Sequence, residues 1–127
     1  MLELTKAEEQ IMRILWDIEK GFVKDIIKEL PDPKPAYNTV STIVRILEKK
    51  GFVSYTAFGK THQYYPLVSR EEYTKSHMYR FVKNYFSNSF EKMVSFFARE
   101  RSISVNEMED ILKIMKKEIE KQKKRRS

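Results

Sequence analysis

The chain has 127 residues, 41% hydrophobic and 34% charged, with a formal net charge of +7; that length allows one domain or a small domain with an appendage. Cysteine is absent, which excludes disulfides, thiolate metal sites and cysteine nucleophiles together. The opening MLELTKAEEQ is charged where a signal peptide needs an apolar stretch, and no apolar run approaches the ~18 residues of a membrane span; the chain reads as soluble and cytoplasmic, without direct membrane insertion.

Three helix starts share one device. Thr5-Lys6-Ala7-Glu8, Ser69-Arg70-Glu71-Glu72 and Ser104-Val105-Asn106-Glu107 all fit S/T-x-x-E. In that pattern the hydroxyl accepts the third helical amide and the glutamate reaches back to the cap amide. After Thr5, the residues Ala7, Ile11, Ile14, Leu15 and Ile18 follow helical spacing, and Gly21 is expected to end the helix. A second, short helix reads through Val23, Ile26, Ile27 and Leu30. It stops at Pro31-Asp32-Pro33-Lys34-Pro35, because proline lacks the amide and restricts its predecessor.

In AYNTVSTIVRILEKKG, Val40, Ile43, Val44 and Leu47 form an i, i+3, i+4, i+7 apolar stripe, with Asn38, Ser41, Thr42, Arg45 and Lys49 on the other side. Lys49 and Lys50 suit the negative end of the helix dipole, and Gly51 supplies a left-handed stop. The segments FVSYTAF (52–58) and THQYYPL (61–67) are rich in aromatic and β-branched residues and flank Gly59-Lys60, so they read as a hairpin. Helix, helix, helix, hairpin is the order of a winged helix-turn-helix. The expected fold is therefore mainly α with a small β-hairpin wing, the head occupying residues 1–68.

Residues 69–127 read as a helical dimerisation region with a basic tail. Tyr73, Met78, Phe81, Val82, Tyr85 and Phe86 form a wide apolar face; Ser87-Asn88-Ser89 breaks it, and Phe90, Met93, Val94, Phe96 and Phe97 resume it over a short helix. From Ser104, the residues Val105, Met108, Leu112, Met115 and Ile119 recur at 3, 4, 3, 4, a coiled-coil seam of about two heptads that Ile111 and Ile114 widen. So much apolar surface on short helices argues for burial against a second chain. The closing KQKKRRS is expected to be a solvated tail.

Charge follows this division. Residues 1–33 carry five basic and eight acidic side chains, residues 34–69 five basic and one acidic, and residues 70–127 fifteen basic and nine acidic. The local excess in 34–69 falls on the third helix and the hairpin. A helix enters the major groove when one face packs on its own domain and the other offers short polar and basic side chains. Asn38, Thr39, Ser41, Thr42 and Arg45 are such an offering. The proline stop before that helix and the hairpin after it favour this over an ordinary solvated face. Arg45 can grip guanine O6 and N7 together. Lys60 at the hairpin tip can reach a flanking phosphate or serve only solubility, and Tyr37 can pack on the sugar-phosphate or on the core.

Enzyme chemistry finds no footing. His62 and His77 fall on different predicted elements without a metal-ligand spacing, and three glycines leave no phosphate-cradling loop. No cofactor or metal is expected. Two alternatives stand beside DNA binding. One is a winged-helix protein-interaction module, against which the polar third helix speaks. The other is a small-molecule-responsive regulator, whose ligand would lie among the aromatic residues of 64–86.

The segments LTKAEEQIMRILW, VKDIIKEL, AYNTVSTIVRILEKKGFV and GKTHQYYPLVSREEY together resemble the penicillinase-repressor (BlaI/MecI/CopY) family, over the whole head and more weakly to about residue 115. The resemblance implies a bacterial winged-helix repressor, a homodimer through its last helices. It implies binding to a double-stranded inverted-repeat operator that controls resistance or stress genes. By matching motif it gives recognition-helix roles to Asn38, Thr39, Ser41, Thr42 and Arg45, with Lys60 in the wing; Tyr37 joins the DNA-binding candidates on its position at the helix start. Pairing roles fall on Phe81, Phe86, Phe90, Val94, Val105, Met108, Leu112, Met115 and Ile119. Two departures stand out. Copper-responsive members carry a cysteine cluster, which this chain lacks, and that argues against copper sensing. In β-lactam-responsive members a membrane sensor protease cuts an Asn-Phe bond; the similar stretch here, FEKMVSFFARE, puts Phe96-Phe97 at that bond, keeping the phenylalanine after the cut but not the asparagine.

Overall fold

The computed structural model describes residues 1–126, in the order α1 (Lys6–Ile18), α2 (Val23–Glu29), α3 (Tyr37–Lys49), β1 (Val53–Phe58), β2 (Thr61–Pro66), α4 (Arg70–Tyr85), α5 (Phe90–Arg99) and α6 (Val105–Arg126). Residues 1–78 and the described residues from 79 onward gather into two compact units, described separately below. The expected architecture holds: mainly α, with three helices and a hairpin wing making the head.

All three predicted caps form. The hydroxyls of Thr5, Ser69 and Ser104 accept from the amides of Glu8 (3.2 Å), Glu72 (3.0 Å) and Glu107 (3.1 Å). Glu8 and Glu72 also complete the reciprocal bond, accepting from the amides of Thr5 (2.8 Å) and Ser69 (3.2 Å). The end of α1 differs from expectation. Glu19, not Gly21, takes the positive φ (71°) and donates its amide to Leu15 O. Gly21 instead exchanges two backbone hydrogen bonds with Tyr64, at 2.9 and 2.8 Å, which fixes β2 to the α1–α2 turn. A Cβ there would lie 2.7 Å from Ile18 Cδ1 and 3.3 Å from Asp25 Cβ.

The α3 stripe packs as the spacing predicts, with Val40, Val44 and Leu47 buried and Ile43 partly so. They meet Ile11, Met12 and Leu15 of α1, Val23 and Ile26 of α2, and Phe52, Val53 and Tyr64 from the hairpin side in one core. The antiparallel strands pair from Val53↔Pro66 to Phe58↔Thr61, leaving a two-residue turn. Gly59 has φ 63° while Lys60 does not take a positive φ, which fits a turn whose glycine must stand first. Beyond the hairpin, Trp16 Nε1 donates to Val68 O (2.9 Å), and Tyr73 of α4 lies against Trp16 and Phe52 while its hydroxyl donates to Glu9.

Lys50 was expected to complement the helix dipole. Instead its ammonium bonds the Glu8 carboxylate at 2.8 Å and Glu3 O at 3.3 Å, tying the end of α3 to the start of α1. The Glu8 side chain is only 5% exposed and that of Lys50 25%. Burial pushes the Glu8 carboxyl up, but the bonds from Lys50 and Thr5 and the charge of Lys50 outweigh it and hold the group below its usual range.

In the second unit the chain turns at Ser87 and Asn88, both at positive φ, and Ser89 caps α5 by accepting from Lys92 N at 3.2 Å. Phe86 packs against Phe81, Phe96 and Phe97, and Tyr79 meets Phe90 edge-on. These contacts leave much uncovered: no described residue of α5 or α6 is buried. The basic segment is solvated, as expected, with every residue from 121 to 126 exposed, and it is also helical. Residues 121–126 continue α6 as regular helix, and Ser127 lies outside the described residues.

Candidate nucleic-acid interface

With its apolar stripe turned into the core, α3 must present the opposite side outward. Tyr37, Asn38, Thr39, Thr42, Arg45 and Lys49 all lie outside the core and are exposed. Ser41 is the exception: at 8% exposure it forms part of the wall between α3 and its surroundings, and cannot project as the pattern expected. The residue at the start of α3, Ala36, offers no side chain to cap the helix, so its positive end is left to solvent or to an anion. The Thr42 hydroxyl donates to Asn38 O at 2.8 Å, which spends its proton and leaves its oxygen as an acceptor.

Four of the expected residues meet in one place. Tyr37, Ser41 and Arg45 of α3 line a cleft of about 310 Å³ together with Lys60 of the wing. Lys24 of α2, Thr61 and His62 of β2, and Phe22 contribute to it as well. Phe22 packs edge-on against Phe58 at 5.7 Å, so the wing is braced from α2. Thr39 stands apart. It faces a different depression, walled by Pro31, Pro33, Pro35 and Ile43.

Sequence reasoning missed Lys24, Thr61 and His62. For Lys24 a signal existed: the helix before a recognition helix crosses the DNA backbone, so its exposed basic residues belong in the candidate set. For His62 no signal was available, since its place depends on the strand register. That register stacks its ring on Tyr55, with centroids 3.8 Å apart and planes within 3°. Tyr64, one step inward, is buried; burial and the nearby Glu48 carboxylate raise its phenol above the usual value, with Arg45 opposing them. Tyr64 therefore stays neutral and acts as the floor on which the Arg45 side of the cleft rests.

Arg45, Lys60 and Lys24 thus put three cations around one concave, partly aromatic surface. Cations disposed along a convex helix and a hairpin tip suit the phosphates and base edges of a duplex. Among the described residues no cluster of histidine and carboxylate side chains is placed to hold a metal ion, and no helix is long and apolar enough to cross a membrane.

The family profile described as penicillinase repressor matches residues 4–117. This chain belongs to the penicillinase repressor family. Relatives in that family span nearly the whole chain. The methicillin resistance regulatory protein MecI of Staphylococcus aureus (strain N315) is 28% identical over 116 residues, covering 91% of this chain and 94% of that one. The same-named protein of Mammaliicoccus sciuri is 27% identical over the same length. The penicillinase repressor of Bacillus licheniformis is 22% identical over 114 residues, 89% of each chain. Among solved structures, the DNA-binding domain of the repressor BlaI aligns with 56% of this chain and 88% of its own at 25% identity and a TM-score of 0.49. The family and the relatives are repressors and regulatory proteins by name.

Proposed function

We propose that this chain is a homodimeric transcriptional repressor that binds an inverted-repeat operator, with α3 of each head in the major groove. The observation that carries the reading is the exposed polar face of α3 centred on Arg45, flanked by Lys60 on the wing and Lys24 on α2. In this reading Arg45 reads a base edge, Asn38 and Thr42 lie beside it, and Tyr37, Thr39, Lys24 and Lys60 hold the backbone. Ser41 supports the wall rather than the groove. Two heads on one duplex would enter successive major grooves about 34–36 Å apart.

Pairing is supported by what α5 and α6 leave open. Phe90, Val94, Val105, Leu112, Met115 and Ile119 are all exposed, and Phe81, Phe86 and Met108 are half-buried. A groove of about 760 Å³ lined by Phe81, Tyr85, Phe86 and Phe96 lies in the same unit. A seam of this extent on a soluble helix is stable only when covered, and a second copy offers the matching seam.

The regulated genes would be of the resistance type, as the names of the relatives suggest, and the place of action the cytoplasm. Proteolysis by a membrane sensor would act at Phe96-Phe97. Both residues lie inside α5, and both pack on Phe86. A protease needs extended backbone, so cutting there would require α5 to open first. The cut would separate α6 from the head and remove the gain from paired binding, often 10²–10⁴-fold.

The test is fluorescence anisotropy with the duplex upstream of the protein's own gene, against a random duplex of equal length, alongside sedimentation. Tight, salt-sensitive preference for the upstream duplex by a dimer is expected. A monomer at micromolar concentration with no preference between the duplexes ends the proposal.

A further inference from the structure

The basic segment at the end of the chain belongs to no part of the function above. The family profile ends at residue 117, yet α6 continues as regular helix to Arg126. A helix fixes where its charges point, which a flexible tail would not. At 100° per residue, Lys113, Lys117, Lys121 and Lys124 fall on one face, a ridge about 16 Å long. All four are exposed. The seam of Val105, Leu112 and Ile119 lies on nearly the opposite side, so covering that seam by a second chain leaves the ridge open. Glu118 and Glu120 are the only acids from 113 to 126, against eight basic residues.

We propose that this lysine ridge is a second, sequence-independent contact surface for duplex DNA, separate from α3 and the wing. A membrane-surface helix needs apolar side chains beside its cations to insert; residues 120–126 contain none, Ile114 is the one exposed apolar side chain next to the ridge, and the apolar seam of α6 is taken up by the proposed pairing. Charge dominates what the ridge offers, and a dense row of phosphates is the partner that charge holds best. Each phosphate engaged releases counterions, so the ridge adds affinity that fades with salt and carries no base preference.

This rests on the repressor reading, and the test separates the two. Binding is measured against salt for the full chain, for the ridge variant Lys113→Gln, Lys117→Gln, Lys121→Gln and Lys124→Gln, and for a control with Lys116→Gln, Lys123→Gln, Arg125→Gln and Arg126→Gln. Glutamine keeps the helix propensity of lysine, and sedimentation checks that all three remain paired. Both the upstream duplex and a random duplex are used, each of about 60 base pairs, long enough for two heads and the flanking contacts. If each of two paired chains makes two ridge contacts, the slope of log K against log salt falls by about 3 to 4 in the ridge variant. The full chain's advantage over it then shrinks roughly 10²-fold between about 50 and 200 mM salt. The loss should be equal on both duplexes and larger than in the control. Equal slopes for ridge variant and full chain, or equal losses in ridge variant and control, overturn the inference. So does ridge-dependent binding to anionic phospholipid vesicles with an unchanged DNA slope. Absence of any preference for the upstream duplex, with the ridge effect intact on both, overturns the repressor reading alone.

Discussion

Replacing Lys50 with methionine tests whether the head is held together by the buried ion pair between the start of α1 and the end of α3. The change keeps the aliphatic stem and removes the ammonium that bonds Glu8 at 2.8 Å and Glu3 O at 3.3 Å. Glu8 stays buried and keeps its bond from the Thr5 amide. Stranding one member of a fully buried pair costs about 3–5 kcal/mol. Lys50 is a quarter exposed, and Glu8 can escape part of the penalty by taking up a proton, so about 2–3 kcal/mol is expected at pH 7. In a unit of this size each kcal/mol moves the midpoint by about 4–8 °C, which gives a fall of roughly 8–24 °C. The pH dependence has a definite sign. The folded Glu8 carboxyl lies below its ordinary value of 4.5, so its contribution is present above that value and lost as pH falls through the lower, folded one. Lys50→Met should remove that acid loss, and Lys50→Met with Glu8→Gln should recover much of the stability at pH 7, because no charge is then stranded. Thermal unfolding by circular dichroism at fixed protein concentration, at pH 7 and over a series from about pH 5 down to about pH 3, measures both. A double variant no more stable than the single one would refute the ion-pair account.

Arg45→Ala should weaken operator binding by about 1–3 kcal/mol and relax base preference at one position of each half-site, read by anisotropy on a panel of operator variants; unchanged affinity removes Arg45 from the base-reading set. Lys60→Ala should weaken binding evenly across sequences and lower the salt slope by about one per phosphate lost, so a sequence-selective loss contradicts its phosphate role. Leu112→Glu with Met115→Glu places charges in the exposed seam of α6 and should yield a monomer in sedimentation whose operator affinity drops about 10²–10⁴-fold, whereas a surviving dimer would move the interface elsewhere. Gly59→Ala, at φ 63°, should destabilise the hairpin turn by about 1–2 kcal/mol, measured as a lower denaturation midpoint with the α3 variants' binding pattern unchanged.

Much of this protein is written in local pattern. Caps are local events between a residue and its third neighbour, so Thr5, Ser69 and Ser104 announce their helices from the sequence alone. The α3 stripe and the two-residue turn at Gly59 are equally local, because a helix repeats every 3.6 residues and a hairpin needs its glycine at one place. The family resemblance rested on those same segments, and the profile match agrees with it.

What the sequence could not supply depends on residues far apart in the chain. Gly21 looked like a helix stop because glycine commonly is one; its partner Tyr64 lies forty-three positions away, and only the packed hairpin brings the two backbones together. Lys50 looked like a dipole partner because Glu8 is invisible from its neighbourhood. Ser41 reads as polar, and its burial is decided by where α2 and β2 close over α3. The composition of the last residues suggests a solvated tail, and they are exposed; that α6 carries the helix through them to Arg126 is what composition did not supply. Periodicity settles which side of an element is apolar; tertiary packing alone settles how much of the other side remains open, because that requires knowing what arrives to cover it.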